Sequence, residues 1–380
     1  MAGKTVLILG GGTGGVVASN RLRRMLGKEH RVVLVDRSPL YTFAPSYPWV
    51  MLGRRDARRI TRDLRTLSKK GIEFVTSEVI ELRPADKKVT LEKEEIAYDY
   101  LIVALGALYS AEEVPGLERA YTFYHLDGAE GLRDRLTEFR GGRIAVLVSG
   151  LPYKCPPAPY EGAFLLEDYF RRGRLEADVH LYTPETTPLR AAGEHVGQAL
   201  LEMLAQRGIG FSGGAQVQSV DQTARTMHFA DGSEASFDLL VATPVHRAPD
   251  VVKRGGLAPE GGWIAVDRET LATPFEDVYA IGDATVIPLG EGIALPKAGV
   301  FAHGEAEVVA RNIAARISGS APIWAFGGQG ACFLETGGGK GSYMSGNFFA
   351  EPPHVTLRHP SRIWHWAKLG FERTWLWRWF

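Results

Sequence analysis

The sequence predicts an α/β fold with two successive Rossmann-like units, followed by a C-terminal region of different composition. Three observations carry this prediction. A glycine-rich strand–loop–helix–strand pattern occupies residues 4–36, alternating strand and helix patterns run through about 112–245, and the region from 321 is rich in tryptophan and arginine. A chain of 380 residues has room for these parts and for an ample hydrophobic core.

Composition narrows the functional classes. Apolar residues make up 45% and charged residues 23%, which is ordinary for a globular protein. The 44 lysines and arginines balance the 44 aspartates and glutamates, which argues against nucleic acid as the main partner. Two cysteines are too few for a disulfide scaffold or a metal cluster. We see no signal peptide and no apolar run of about 18 residues, so we expect the protein to stay on the cytoplasmic side.

The first unit carries a dinucleotide-binding pattern. A strand at 5–9 leads into a glycine loop, a helix through about Leu26, and a strand at 31–35 that ends at Asp36. Three glycines permit the tight turn, the close approach of a pyrophosphate and the packing of helix on strand; they are Gly10, Gly12 and Gly15. The Asp36 carboxylate is placed to accept hydrogen bonds from a ribose and disfavours a 2′-phosphate. The pattern predicts an adenine dinucleotide other than NADP; the alternative is a glycine turn without a ligand.

Later segments complete this unit. An apolar strand near 98–105 ends in small residues beside the expected nucleotide, and another ends at Gly282 and Asp283. Lys297 precedes a helix expected through about Ile317, where its ammonium could meet an electron-rich ring edge. The alternatives are a helix N-cap for Asp283 and a surface charge for Lys297. We expect a discontinuous domain of 1–111 plus 246–320, a second domain of 112–245, and a third region of 321–380.

Two stretches of the first unit have open interpretations. The aromatic loop at 41–52 either packs in the core or borders a flat cofactor ring. Residues 54–70 carry eight basic and two acidic side chains. We favour a solvated helix face for that segment over a membrane-facing patch.

The corner after the strand at 144–148 holds one of the two cysteines, Cys155. Prolines occupy positions 152, 156, 157 and 159 where a second dinucleotide domain would have its glycine loop. Proline offers no N–H group to a pyrophosphate. A helix is expected at 160–171, and its N-terminus would lower the pKa of the Cys155 thiol and favour the thiolate. The alternative is a buried, inert cysteine.

The C-terminal region combines the second cysteine, Cys332, with an unusual tail. Five of the eight tryptophans lie between 364 and 379, and residues 358–380 carry five basic residues and one acidic residue. This composition is typical of a membrane–water interface. Helical phasing groups Trp364 with Phe371 and Trp375, and Gly370 interrupts the pattern, so we expect two short interfacial helices. The alternative is a dimer interface or a cap on the core.

Taken together, these motifs resemble the sulfide:quinone oxidoreductases, with the flavoprotein subunit of flavocytochrome c sulfide dehydrogenase as a related group. The resemblance covers nearly the whole chain and is most specific at the Cys155 corner and around Cys332. It rests on Gly10–Gly15, the 100–106 strand, Pro152–Glu161, Gly282-Asp283, Pro296-Lys297 and Cys332–Glu335. It implies a glutathione-reductase-type flavoprotein with two dinucleotide-binding domains.

The resemblance also implies a site. FAD would be bound by Gly10, Gly12, Gly15, Asp36, Arg37, Ala44, Val79, Ala104, Gly106, Gly282, Asp283 and Lys297. Lys297 would lie near the pyrimidine end of the flavin, and Cys155 and Cys332 would form a redox pair beside the ring. Hydrosulfide would attack their disulfide, Cys332 would be the thiolate that reacts with the flavin, and a membrane quinone would take the electrons. Glu161 would carry protons near the thiols, unless it caps its helix.

The chain departs from the family pattern in two places. Many quinone-reducing members have a third cysteine and a histidine near the region that is here 121–128; His125 is close but not in register. A cysteine that would tether FAD is also absent from the early loop, so we expect non-covalent FAD. Three alternatives remain: a type II NADH dehydrogenase, which the prolines disfavour; a flavocytochrome-like dehydrogenase, which needs export and a haem partner; and a non-catalytic flavin sensor. We expect a peripheral protein on the cytoplasmic face of the membrane, with homo-oligomerisation open.

Overall fold

The fold is described from a computed structural model that covers residues 3–260 and 262–380. The helices, in chain order, are α1 (Thr13–Met25), α2 (Tyr47–Val50), α3 (Ala57–Ile60), α4 (Leu126–Glu138), α5 (Ala158–Arg172), α6 (Glu194–Gln206), α7 (Asp250–Arg254), α8 (Gly299–Ile317) and α9 (Arg362–Arg378).

The strands are short and numerous. Those before residue 112 are β1 (Thr5–Leu9), β2 (Arg31–Asp36), β3 (Leu40–Thr42), β4 (Thr61–Asp63), β5 (Glu73–Thr76), β6 (Val79–Arg83), β7 (Lys88–Leu91), β8 (Glu95–Ala97), β9 (Tyr100–Val103) and β10 (Leu108–Tyr109). The next are β11 (Gly142–Val148), β12 (Ala177–Thr183), β13 (Gly210–Gly213), β14 (Val217–Asp221), β15 (Thr226–Phe229), β16 (Glu234–Ser236), β17 (Leu239–Thr243) and β18 (His246–Arg247). The last are β19 (Ile264–Ala265), β20 (Val278–Ala280), β21 (Thr285–Val286), β22 (Pro288–Gly290), β23 (Ile293–Ala294), β24 (Gln329–Gly337), β25 (Lys340–Asn347) and β26 (His354–Leu357).

The first sheet is parallel and has the order β20-β9-β1-β2-β5. Its central strand β1 is buried on both faces. Val6 and Ile8 pack into the cluster that includes α1 and α8, while Leu7 and Leu9 pack toward the β6–β8 side. A continuous apolar run is what a parallel sheet covered on both faces requires. Strand β20 joins from late in the chain, so this sheet combines two distant segments.

The second sheet is also parallel, with the order β13-β12-β11-β17. Alternate residues of β11 again face two cores: Ile144, Val146 and Val148 lie on the α5 side, and Ala145 and Leu147 lie on the side of β14–β16. The predicted α/β class with two Rossmann-like sheets is therefore confirmed. The boundaries at 111, 245 and 320 stay a prediction.

The basic segment does not form the expected helix. Residues 54–70 fold as the single turn α3, the strand β4 and a 3-10 helix at Leu64–Lys70. Asp56 and Asp63 each accept a hydrogen bond from the backbone N–H two residues later, which starts a new element each time. The antiparallel pairing of β4 with β3 then keeps residues 61–63 extended, so the two helical turns on either side cannot join into one helix. The prediction of one solvated helix is wrong.

The tail forms one helix rather than two. Strands β24, β25 and β26 make an antiparallel sheet, and α9 then runs unbroken through Gly370. No atom lies within 4 Å of the Cβ position at Gly370 among the described residues, so that glycine occupies an open face and interrupts no packing. The predicted phasing is seen: Trp364 stacks on Tyr343, whereas Trp366 and Trp377 are 71% and 82% exposed. Within residues 3–260 and 262–380, no helix has the length and apolar character needed to cross a bilayer.

Candidate active site

The glycine loop lies between β1 and α1, and two of its glycines are sterically required. A Cβ at Gly10 would lie 2.3 Å from the Ala104 carbonyl oxygen, and one at Gly15 would lie 1.8 Å from the Gly10 oxygen. Gly12 differs, because no described atom lies within 4 Å of its Cβ position. The N-terminus of α1 therefore borders open space that a phosphate group would fit.

The Asp36 carboxylate ends β2 beside this loop. Its Oδ2 accepts a 2.6 Å hydrogen bond from the Gly11 N–H and its Oδ1 accepts one of 2.8 Å from Ser38. Three other predicted cofactor residues lie nearby in the chain: Arg37 and Ala44 are exposed, and the half-buried Val79 begins β6. Their contact with a cofactor stays a prediction.

Asp283 presents an unsatisfied oxygen on the far side of the loop. It follows β20 within a short 3-10 turn, and its Oδ1 is buried without a hydrogen-bond partner in the described part of the chain. Burial raises the pKa of this carboxyl. The turn has no side-chain cap, so the N-cap alternative is not seen. A buried carboxylate oxygen without a donor fits a cofactor hydroxyl, and the open space at Gly12 fits a phosphate group; contact of either residue with a cofactor stays a prediction.

Lys297 is buried, not a surface charge. Its side chain is 7% exposed, and its Nζ donates hydrogen bonds of 2.8 Å to the Asp283 and Thr285 carbonyls. The ammonium also lies 3.4 Å from the centroid of the Trp263 ring. Burial lowers the pKa of Lys297 to about 8. This lysine fixes the backbone beside Asp283, and its expected position near a flavin edge stays a prediction.

The Cys155 corner joins this region through the backbone. The Cys155 N–H donates a 2.6 Å hydrogen bond to the Lys297 carbonyl, and its own carbonyl accepts from Ala158 at the start of α5. Cys155 has φ of 54°, in the left-handed region that non-glycine residues rarely adopt. Such strain persists only where surrounding contacts impose it. The corner therefore holds the thiol in one orientation.

The two thiols lie close enough for each to shift the pKa of the other, although the cysteines are far apart in the chain. Helix α5 packs on β24, and both cysteines are free and half-buried. The contact between the thiols raises the pKa of Cys155 and lowers that of Cys332. The prediction that a helix N-terminus lowers the pKa of Cys155 is wrong. The neighbouring thiol and burial outweigh the helix, and Cys332 is the residue favoured as thiolate.

Glu161 faces the thiols from the first turn of α5. It forms a buried ion pair with Lys368 of α9, and both side chains are almost fully inaccessible. Burial raises the pKa of Glu161 to about 7 against the opposing effect of Lys368. No side chain caps α5, so the capping alternative for Glu161 is not seen. A carboxyl that titrates near neutrality can both accept and donate a proton.

Sequence reasoning missed three side chains that complete this cluster. Lys368 was counted only among the basic residues of the tail, and lysine is rarely buried unless it is paired. Glu335 is buried on β24, where its Oε2 lies 2.8 Å from His365 Nδ1 and its Oε1 has no hydrogen-bond partner among the residues described. The Trp49 ring lies between Arg55 and Lys368, at 4.6 Å and 4.7 Å from its centroid. The aromatic loop thus positions Lys368 by cation–π contact.

Residues 121–128, where the family resemblance would place a third cysteine, help to begin helix α4. His125 caps α4 by accepting a 2.9 Å hydrogen bond from the Gly128 N–H. Its neighbour Tyr124 is buried beside Tyr109 and His246. Among the described residues, no group of three or more histidine, cysteine or acidic side chains could hold a metal ion.

This fold, with its glycine loop and paired thiols, defines an oxidoreductase of the dinucleotide-binding class. The sequence pattern of the pyridine nucleotide-disulphide oxidoreductase family matches residues 4–306, and the chain belongs to that family. Its relatives include the mitochondrial sulfide:quinone oxidoreductase of Mus musculus, 27% identical over 363 residues that cover 91% of this chain and 79% of the relative.

Two further comparisons involve Aquifex aeolicus. The sulfide-quinone reductase of strain VF5 is 24% identical over 398 residues, covering 99% of this chain and 91% of the relative. The X-ray structure of the sulfide:quinone oxidoreductase from this bacterium has a TM-score of 0.89 at 23% identity, with coverage of 99% and 91%. These matches confirm the resemblance inferred from the motifs, and with the family they imply a flavin cofactor.

Proposed function

We propose that this chain oxidises sulfide to polysulfide or elemental sulfur, with electrons passing through Cys155, Cys332 and FAD to a membrane quinone. The observation that carries the proposal is the meeting of the chain's two cysteines, each of which changes the pKa of the other. The names of the relatives support sulfide as donor and quinone as acceptor.

FAD, held without a covalent bond, is the cofactor that best fits the chain. The open space at Gly12 would take the pyrophosphate, and the unsatisfied Asp283 oxygen would accept from a ribityl hydroxyl. The aromatic loop at 41–52 contains no cysteine that could tether a flavin. When bound, the flavin supplies a two-electron acceptor and donor; the protein provides orientation, sulfur chemistry and proton handling.

Because the pKa of the Cys332 thiol is lower than that of Cys155, one of the two sulfur atoms is the favoured site of attack. Hydrosulfide attacks the Cys155 sulfur of the Cys155–Cys332 disulfide, the S–S bond breaks, and Cys332 leaves as thiolate. The thiol with the lower pKa is the better leaving group, which favours attack at Cys155. Cys155 then carries a persulfide. Joining that persulfide to Cys332 would form a bridge one sulfur longer and release one proton and two electrons, for which a bound flavin would be the acceptor.

Glu161 is the proton acceptor that this step requires. With a pKa of about 7, it is partly ionised at neutral pH and lies beside both thiols. Lys368 holds the carboxylate in place, and its own pKa is raised by the acidic neighbours despite burial, so it stays charged. The Glu335–His365 pair extends the cluster toward the surface, because His365 retains 21% side-chain exposure.

The α9 tail is the proposed membrane contact and quinone approach. The side chains of Ile363, Trp366 and Trp377 are 73%, 71% and 82% exposed, and basic residues accompany them. This combination suits the headgroup layer of a bilayer. We place the protein peripherally on the cytoplasmic face, and self-association through the same tail is the competing use of these side chains.

Anaerobic flavin bleaching tests the proposal. Wild-type protein should be yellow, lose its flavin colour on addition of sulfide but not of NADH, and regain it with quinone. Cys155→Ser and Cys332→Ser should abolish bleaching by sulfide while retaining flavin and bleaching by dithionite. Undiminished sulfide bleaching in either variant would contradict the mechanism. Bleaching that quinone cannot reverse would favour a sensor, and bleaching by NADH would favour an NADH dehydrogenase.

A further inference from the structure

A groove of about 620 Å³ is lined by the C-terminal half of α9 and by Phe380. Its second wall comes from the α3–β4 segment. The groove brings cationic and apolar side chains together; those used below are Arg59, Arg62, Arg373, Leu376, Trp377 and Phe380. Its volume lies in the range of sites that hold small molecules.

The groove has a surplus of positive charge. None of Arg59, Arg62 and Arg373 has a carboxylate within ion-pair distance in the portion of the chain that is described. One carboxylate, that of Glu372, lines the groove, but it is bound to Arg55 at 3.0 Å and accepts a hydrogen bond from Ser46. Three guanidinium groups therefore face one opening without local neutralisation, and guanidinium binds phosphate oxygens in bidentate geometry.

The remaining lining is apolar and only partly accessible. Trp377 is 82% exposed, Phe380 is half-buried and packs at a tilt against Tyr41 with the ring centroids 4.9 Å apart, and Leu376 is buried. A small free anion would use only the arginines and leave the Trp377 side unfilled. A second copy of the same face would bring like charges together and be repelled. An amphiphile with a phosphate head and a hydrocarbon chain matches both halves of the groove.

We propose that this arginine groove binds the headgroup phosphate of an anionic phospholipid, with the lipid chain running along Trp377 and Phe380. The inference rests on the membrane contact in the proposed function, and it adds a preference for acidic lipid at a defined position. Because Arg59 and Arg373 are exposed and Arg62 is only half-buried, the preference should weaken as salt increases.

Vesicle co-sedimentation of the flavin-loaded full-length protein tests the groove. The probes are phosphatidylglycerol–phosphatidylcholine vesicles and pure phosphatidylcholine vesicles. Replacing Arg59, Arg62 and Arg373 by glutamine should lower partitioning onto the acidic vesicles about 100-fold, about fivefold for each arginine. Binding to neutral vesicles should change little. The matched control replaces three exposed arginines elsewhere with glutamine, namely Arg119, Arg140 and Arg174, and should retain the preference.

Three results would overturn the proposal: an unchanged preference in the groove variant, an equal loss in the control variant, or displacement of protein by inorganic phosphate at the lipid phosphate concentration. The last result would indicate a free-anion site. Anaerobic sulfide bleaching of the groove variant, measured in detergent without quinone, should equal that of wild type. If sulfide did not bleach the flavin of the wild-type protein, the proposed function would be refuted. The vesicle-binding result would still test the lipid site independently.

Discussion

Replacement of Lys368 by methionine tests the role of the buried ion pair most sharply. The change keeps the length and apolar stem of the side chain but leaves the Glu161 carboxylate without its partner. An opposite charge at contact distance lowers a carboxyl pKa by about one to three pH units. Removing it should raise the pKa of Glu161 by that amount from about 7.

The sign of the kinetic effect follows from the proposed role. Glu161 must be ionised to accept the proton released as the sulfur bridge lengthens, so the bleaching rate rises with pH through the pKa of Glu161. A higher pKa moves this rise to more alkaline pH. The variant should therefore be slow at neutral pH and approach the wild-type rate in alkali, with an apparent midpoint about one to three pH units higher.

The folding stability of the Lys368→Met variant should also decrease as pH rises. Glu161 has a folded-state pKa above its unfolded value of about 4.5, so its ionisation opposes folding as pH rises through about 7. In the variant the uncompensated carboxylate should lower the free energy of unfolding by about 3–5 kcal/mol at alkaline pH, and by less where Glu161 is protonated.

Stopped-flow bleaching with sulfide across the neutral range, paired with thermal unfolding, measures both effects. Hydrosulfide ionisation affects every variant alike, so the comparison with wild type isolates the protein. Lys340→Met, which removes an exposed lysine from β25, is the matched control and should leave the profile unchanged. A Lys368→Met profile that coincides with wild type would refute the assignment of Glu161 as proton acceptor.

Three further outcomes are expected. Gly12→Ala should fold normally but bind flavin at least roughly tenfold more weakly, because its methyl occupies the space left for a pyrophosphate; Gly131→Ala, also unobstructed, should bind normally, and equal affinity in both variants would contradict the assignment. Cys155→Ala should raise the pH at which iodoacetamide alkylates Cys332, since the contact that lowers the pKa of Cys332 is lost; an unchanged alkylation profile would rule out that contact as the cause. Trp377→Ser should reduce binding to neutral vesicles without affecting sulfide bleaching, and unaltered sedimentation would argue against an interfacial tail.

The local sequence pattern was sufficient to predict those parts of the fold that depend on a single strand, helix or turn. The strand–glycine–helix signature and the apolar run at 144–148 predicted strands of both parallel sheets, because the spacing of apolar residues reflects which faces are buried. The proline corner indicated a thiol in place of a phosphate loop. The likeness of the surrounding motifs to one family then suggested that two remote cysteines meet.

The errors arose where tertiary contacts decide the outcome. The pKa of Cys155 is set by Cys332 and by burial, which position in a helix cannot reveal. Gly370 continues a helix because its neighbours pack on the protein and its own face is open. The Glu161–Lys368 pair joins positions 207 apart, and the composition of the tail gave no means of selecting Lys368 as its buried lysine. Deletion of the whole tail is therefore a poor membrane test, since it would also remove this ion pair.

The most direct measurement is mass spectrometry of protein that has turned over sulfide anaerobically and been quenched with an alkylating agent. The proposed mechanism predicts a pair of peptides that is linked through Cys155 and Cys332 and carries one or more additional sulfur atoms. The amount of this linked pair should be proportional to the amount of flavin reduced. If Cys155 and Cys332 were each alkylated separately and carried no added sulfur after full bleaching of the flavin, the proposed mechanism would be contradicted.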